Sequence, residues 1–147
     1  MKTDTGLSLR VSRTVNADPD TVFRACTDPA QLKDWWYTHK GGSFGGAEID
    51  LAVGGRYRIG IVAPDGRTFT AVGVCQVVDR PRRLVYTWDW EEEANRMGET
   101  IVTVEFGDLG GATEVVLTHE RFPSAERMPG HEQGWQELLG RLEQRYA

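Results

Sequence analysis

The stretch that most restricts the fold is the last one, HEQGWQELLGRLEQRYA, residues 131–147. Trp135, Leu138, Leu139, Leu142 and Tyr146 recur at helical spacing, with Gln136, Glu137, Arg141, Glu143 and Gln144 between them. This is one apolar stripe on an otherwise polar helix, and such a stripe must lie against a partner surface. A helix from Gly130 to the last residue is roughly 27 Å long, so the partner has to be a broad apolar face. The strand-rich middle of the chain is the only candidate.

Upstream, Leu7, Leu9, Val11 and Arg13 or Val15 alternate with polar residues, which predicts a first strand. Asp18-Pro19 is an N-cap followed by proline at the first helical position, and a short helix through Val22, Phe23 and Cys26 follows. Asp28-Pro29 ends it and starts another, expected to run to about Trp35, with Gln31 at the capping-box position. The glycine-rich HKGGSFGG at 39–46 is expected to be a mobile crossing loop. Residues 47–51 and 56–62 are expected to form a hairpin around Val53-Gly54-Gly55. A longer strand over 69–78 has Phe69, Ala71, Gly73, Cys75 and Val77 on one face, and 84–88 is strand-like. Residues 91–99 form a polar loop, and 101–106 pairs with 113–119 through the turn GDLGG.

The predicted order is a strand, two short helices, about six strands and a long helix, all in a single domain spanning 1–147. Successive antiparallel hairpins cannot bury their face alone, and the helix supplies the cover. This is an α+β arrangement. If the sheet curves around the helix while the short helices plug one end, a cavity is left between helix and sheet.

Net charge is −5 with mixed signs, and Lys33, Lys40, Arg80, Arg82 and Arg83 are too dispersed for a basic stripe, so no nucleic-acid partner is expected. The first residues carry no apolar signal core and no segment could span a bilayer, which gives the expectation of a cytoplasmic protein without membrane insertion. Cys26 and Cys75 have no metal or redox spacing and are expected as buried free thiols. HExxH, GxSxG and GxGxxG are all absent, so neither a metal nor a cofactor is expected.

Five segments carry a resemblance: FRACTDPAQLKDWW at 23–36, VGGRYR at 53–58, RRLVYTW at 82–88, TEVVLTHERF at 113–122 and HEQGWQELLGRLEQ at 131–144. Together they resemble the START/Bet v 1-like superfamily. More narrowly, the chain is similar to the small proteins related to the C-terminal domain of the Hsp90 ATPase activator. The resemblance implies a helix-grip fold, with six or seven antiparallel strands wrapped around the C-terminal helix. It also implies a cavity for hydrophobic or amphipathic small molecules, used by some members as carriers or sensors and by others as cyclases, dehydratases or hydrolases. The 147 residues leave no room for the additional N-terminal domain of the full-length activator, which weighs against a co-chaperone role.

The leading expectation is therefore binding of a hydrophobic or amphipathic small molecule by a monomer or homodimer. Trp36, Trp88 and Trp135 are the expected ligand contacts, because large rings grip an apolar body while their N–H groups orient polar atoms. Phe69 belongs to the same aromatic set. His39 joins if the glycine-rich loop closes inward, and Arg56 joins as a clamp if its sheet face is the cavity face. A cavity enzyme is the alternative. It would draw its acid/base group from His119, His131 or Glu105. His131 lies four residues before Trp135, on the same helical face. A chaperone-interacting module is the third reading, and it needs a contiguous exposed apolar patch.

Overall fold

A computed structural model describes residues 6–147. The elements in order are β1 (Ser8–Val15), α1 (Pro19–Thr27), α2 (Pro29–Leu32), β2 (Ser43–Ile49), β3 (Arg56–Val62), β4 (Thr68–Asp79), β5 (Arg83–Trp90), β6 (Thr100–Asp108), β7 (Thr113–Glu120) and α3 (Met128–Arg145). One-turn 3₁₀ helices at Glu93–Asn95 and Ala125–Arg127 precede β6 and α3. The seven strands form one sheet in the order β1-β7-β6-β5-β4-β3-β2, antiparallel throughout. The connection through α1 and α2 carries the chain from one edge strand to the other.

The alternation in β1 works as its sequence implies. Leu9, Val11 and Val15 are buried, and the half-buried Arg13 reaches α3, where it bonds Gln136 and Glu143. The α3 stripe buries Trp135, Leu138, Leu139 and Leu142 in a core shared with β1, β3, β5, β6, β7 and α1. From α1, Phe23 packs edge-on against Phe106 of β6, with centroids 5.3 Å apart. The result is the helix-grip arrangement, with the sheet curved around the C-terminal helix.

Three boundaries and the facing of one strand differ from expectation, each for a local reason. Helix α2 ends at Leu32, and Trp35 turns inward to donate its indole N–H to the Ala25 carbonyl at 3.0 Å. The expected crossing loop is already strand from Ser43. There Gly45 lies so close to Gly60 of β3 that a Cβ would sit 2.8 Å from its carbonyl carbon, and the register shifts between Phe44 and Ala47. Glycine is what allows β2 to pair there. In β4 a second register shift between Cys75 and Val77 changes which residues face the core. Val78, not Val77, packs on it. Helix α3 starts at Met128, ahead of the expected start, with Pro129 in its first turn where a missing N–H costs nothing.

Candidate functional site

A cavity of ≈ 390 Å³ lies between the sheet and the first half of α3. Ile61 of β3, Phe69 of β4 and Trp88 and Trp90 of β5 form its sheet side, while His131, Trp135 and Leu138 of α3 form the other. Its rim is polar, with Thr38, His39, Asn95, Glu126, Gln133 and Glu137. The aromatic wall is continuous. Trp88 stands 4.9 Å from Trp135 and 5.3 Å from Trp90, and Phe69 lies 6.3 Å from Trp90, all as ring centroids. A second void of ≈ 50 Å³ lies among Cys26, Trp36, Tyr57, Cys75, Tyr86 and their neighbours, and Trp88 borders both spaces.

The hydrogen bonds around this wall define the buried His119 and the half-buried His131. Trp135 donates Nε1–H to Nδ1 of His119 at 3.1 Å. Thr100 Oγ1 lies 2.6 Å from the Trp88 carbonyl, to which only its own hydroxyl proton can be given. The 2.7 Å contact between Thr100 Oγ1 and His119 Nε2 therefore has the imidazole as donor. His119 is the neutral Nε2–H tautomer with both nitrogens engaged. Burial, with His131 as a lesser contributor, pushes its pKa down to about 3. At His131, Nδ1–H donates to the Arg127 carbonyl at 2.7 Å and Nε2 accepts from Trp90 Nε1–H at 3.1 Å. It too is neutral, its pKa lowered mainly by burial.

Each histidine thus holds an indole in place. Protonating either ring would set a new N–H against the N–H of its tryptophan. Neither ring nitrogen of His119 is free to take a proton from a bound molecule, and the residue has no exposed surface. The expectation that His119 supplies acid/base chemistry at the cavity mouth is corrected by this geometry.

Two other expected residues lie elsewhere. Arg56 and Arg58 alternate with buried Tyr57 and project from the outer face, where Arg58 forms a two-pronged pair with Glu91 at 2.8 and 2.7 Å. Glu105 is exposed on the outside of β6, opposite Arg83. Period-2 alternation put each of them opposite a core residue, and it is the core residue that faces α3. Trp36 is buried behind the wall, 5.9 Å from Trp135 and 6.5 Å from Trp88. The two thiols are free; Cys75 is buried and Cys26 half-buried, and burial pushes Cys26 up to about 12, far from a reactive thiolate.

His39 does reach the mouth. Its φ of 63° turns the chain inward, and its backbone N–H donates to Glu137 Oε2 at 2.7 Å. The residues just before it are tied to α3 at two further points. Arg141 lies 3.9 Å over the Tyr37 ring, and Arg145 Nη1 bonds Asp34 Oδ2 at 2.9 Å. Glu137, Arg141 and Arg145 follow one another at four-residue intervals, so one face of α3 holds residues 34–39 antiparallel to it.

The sequence pointed to Trp88, Trp135, His131, Phe69 and His39, and these do line one cavity. Gly130, Gly134, Glu137 and Ile61 line it as well and were not singled out. Only the first two left a trace, as glycines four apart on the face that carries His131 and Trp135.

The profile of the family described as "Activator of Hsp90 ATPase homolog 1-like protein" matches residues 16–147. The chain belongs to this family. Among solved structures, the AHSA1 protein of Silicibacter pomeroyi superposes with a TM-score of 0.81 at 25% identity, covering 95% of this chain and 96% of that one. A protein from Chromobacterium violaceum gives a TM-score of 0.81 at 24% identity, with the same 95% and 96% coverage. One from Rhodobacter sphaeroides gives 0.81 at 24% identity, covering 96% of this chain and 93% of the other. No curated protein matches significantly. These likenesses establish the helix-grip fold of an activator of Hsp90 ATPase homolog 1-like protein. Among the described residues, no helix is long and apolar enough to cross a membrane.

Proposed function

We propose that this protein binds an apolar or amphipathic small molecule between β3–β5 and the first half of α3. The observation that carries this reading is the continuous aromatic wall of a ≈ 390 Å³ cavity, a size within the roughly 300–1,000 Å³ range of small-molecule sites. Its walls are apolar rings and its rim is polar, so a ligand would sink an apolar body and leave a polar end at the mouth. The paired imidazoles serve recognition rather than proton transfer, because each is spent on orienting a tryptophan.

Two other roles have less support. The ionisable groups at the mouth are His39, Glu126, Arg127 and Glu137, on the rim rather than in the depth of the cavity. The large hydrophobic residues exposed among the described ones are Val53 and Leu109, which sit in two different hairpin turns and form no contiguous patch for a chaperone.

The test is native mass spectrometry of protein purified from its own host, together with a tryptophan-fluorescence titration against 2-ethylnaphthalene and 2-acetylnaphthalene. Binding predicts a discrete mass adduct or a saturable quench that is lost in Gly134→Leu. No adduct and no saturable titration would sink the reading.

A further inference from the structure

Among the described residues, the only buried side-chain nitrogens or oxygens without a hydrogen-bond partner are Trp88 Nε1 and Arg141 Nε. Arg141 stacks on Tyr37 and keeps the rest of its guanidinium, so its single unpaired N–H has a ready account. Trp88 has none. The residue is 4% exposed, borders both the main cavity and the second void, and packs among the rings of Trp36, Tyr86, Trp90, His119 and Trp135.

The contrast with its neighbours is informative. Trp35 gives its N–H to Ala25, Trp90 to His131 and Trp135 to His119. Folding has supplied an acceptor to each of these, and two of those acceptors are imidazoles held neutral for the purpose. A buried donor left unpaired forfeits its water without compensation, which native structures rarely tolerate without a reason. A phenylalanine would have packed in the same place with no such loss.

Resting on the binding reading above, we infer that Trp88 is the specificity determinant of the site and that its N–H recognises a neutral hydrogen-bond acceptor on the ligand, such as a ketone or ester carbonyl carried on a planar apolar skeleton. The acceptor is neutral because the surrounding wall offers no charge. His119 and His131 are uncharged, Thr100 and the tryptophans are neutral, and the ionisable groups stand at the rim. A carboxylate drawn to that depth would lose its hydration for one indole N–H, and an ammonium would find no acceptor there. A planar skeleton fits because Trp88, Trp90 and Trp135 present ring faces and edges to the same space.

The experiment compares 2-acetylnaphthalene with 2-ethylnaphthalene, which have the same shape and differ by the carbonyl oxygen. Isothermal titration on the intact chain is expected to show the ketone binding about tenfold tighter or more, as for sites built around one buried polar contact. In Trp88→Phe the preference for the ketone over the hydrocarbon is expected to collapse to about one. A direct readout does not depend on that variant folding. In ¹⁵N-labelled protein the Trp88 indole proton is expected to shift downfield with the ketone and not with the hydrocarbon, while those of Trp35, Trp90 and Trp135 stay in place. Equal affinities, or a Trp88 indole proton indifferent to the carbonyl, would overturn the inference and leave the binding site standing. Failure of both compounds to bind would overturn the inference, and the binding reading falls with it if the protein from its own host also carries no mass adduct.

Discussion

A buried imidazole that must stay neutral couples folding to acid. The folded-state pKa of His119, about 3, lies below the roughly 6.5 of a free imidazole. As the pH falls, the unfolded chain takes the proton first. Stability is thus full above the unfolded pKa and drains away as the pH drops from there toward the folded value. Between about pH 7.5 and 5, His119 alone should remove roughly 2 kcal/mol. His131, also lowered, adds in the same direction. The carboxylates held low by arginine partners, Asp20, Asp65 and Glu91, titrate below this window. Denaturant melts at the two pH values should therefore show a smaller loss in His119→Gln than in wild type, by about 2 kcal/mol; equal losses would mean that His119 is not the coupled group. Trp135 is the partner on the other side of that bond, 3% exposed and packed on Trp88. Trp135→Ala should cost about 3–5 kcal/mol, and a melt showing less than about 1 kcal/mol would contradict its central place in the wall. The sequence could place His131 and Trp135 on one helical face, because spacing alone does that. That each imidazole would accept an indole N–H depends on strands β5 and β7 meeting α3, which no local pattern encodes. Arg56 and Glu105 show the same limit. Alternation told which residues oppose them and left open which face met the helix.

Among the elements, α3 carries a local contradiction that its position resolves. Gly130 and Gly134 lie inside a helix that packs a core stripe, and each glycine in a helix interior costs about 1 kcal/mol relative to alanine. Both line the cavity, and a Cβ at either would meet nothing within 4 Å. Their φ values need no glycine. What the missing side chains preserve is room. Gly134→Ala should raise stability by about 0.5–1 kcal/mol while weakening binding of the naphthalene probes. A denaturant melt that falls instead of rising would show that this position is strained or in contact. The other face of the same helix holds the segment 34–39 through Glu137, Arg141 and Arg145. The glycines of 39–46 suggested a free crossing loop because glycine is the common mark of irregular chain. Here two of them sit in a paired strand, and the approach of Gly45 to Gly60 is a contact between residues far apart in sequence.

For the molecule as a whole, the helix and hairpins were legible because each follows from a short repeat, and an apolar stripe beside unburied hairpins leaves few ways to close a core. The cavity was not, since it is the part of the interior that side chains leave unfilled. Its place divides α3 into two halves with different duties. Leu138 lines the cavity, whereas Leu142, one turn further on, is fully buried in the core and does not border it. Leu142→Ala should therefore cost about 2–5 kcal/mol and leave affinity for 2-acetylnaphthalene within about threefold, since no cavity wall moves. Gly134→Leu should do the reverse. Its side chain would project into the space that the ligand needs, lowering affinity by about tenfold or more, equivalent to about 1.4 kcal/mol, with stability held within about 1 kcal/mol. Melts and titrations on both variants form a crossed comparison. If Leu142→Ala weakened binding as strongly as Gly134→Leu, core and cavity would be one cooperative packing unit, and the division of the helix proposed here would fail. If only the expected variant loses each property, the first half of α3 serves recognition and the second half holds the sheet.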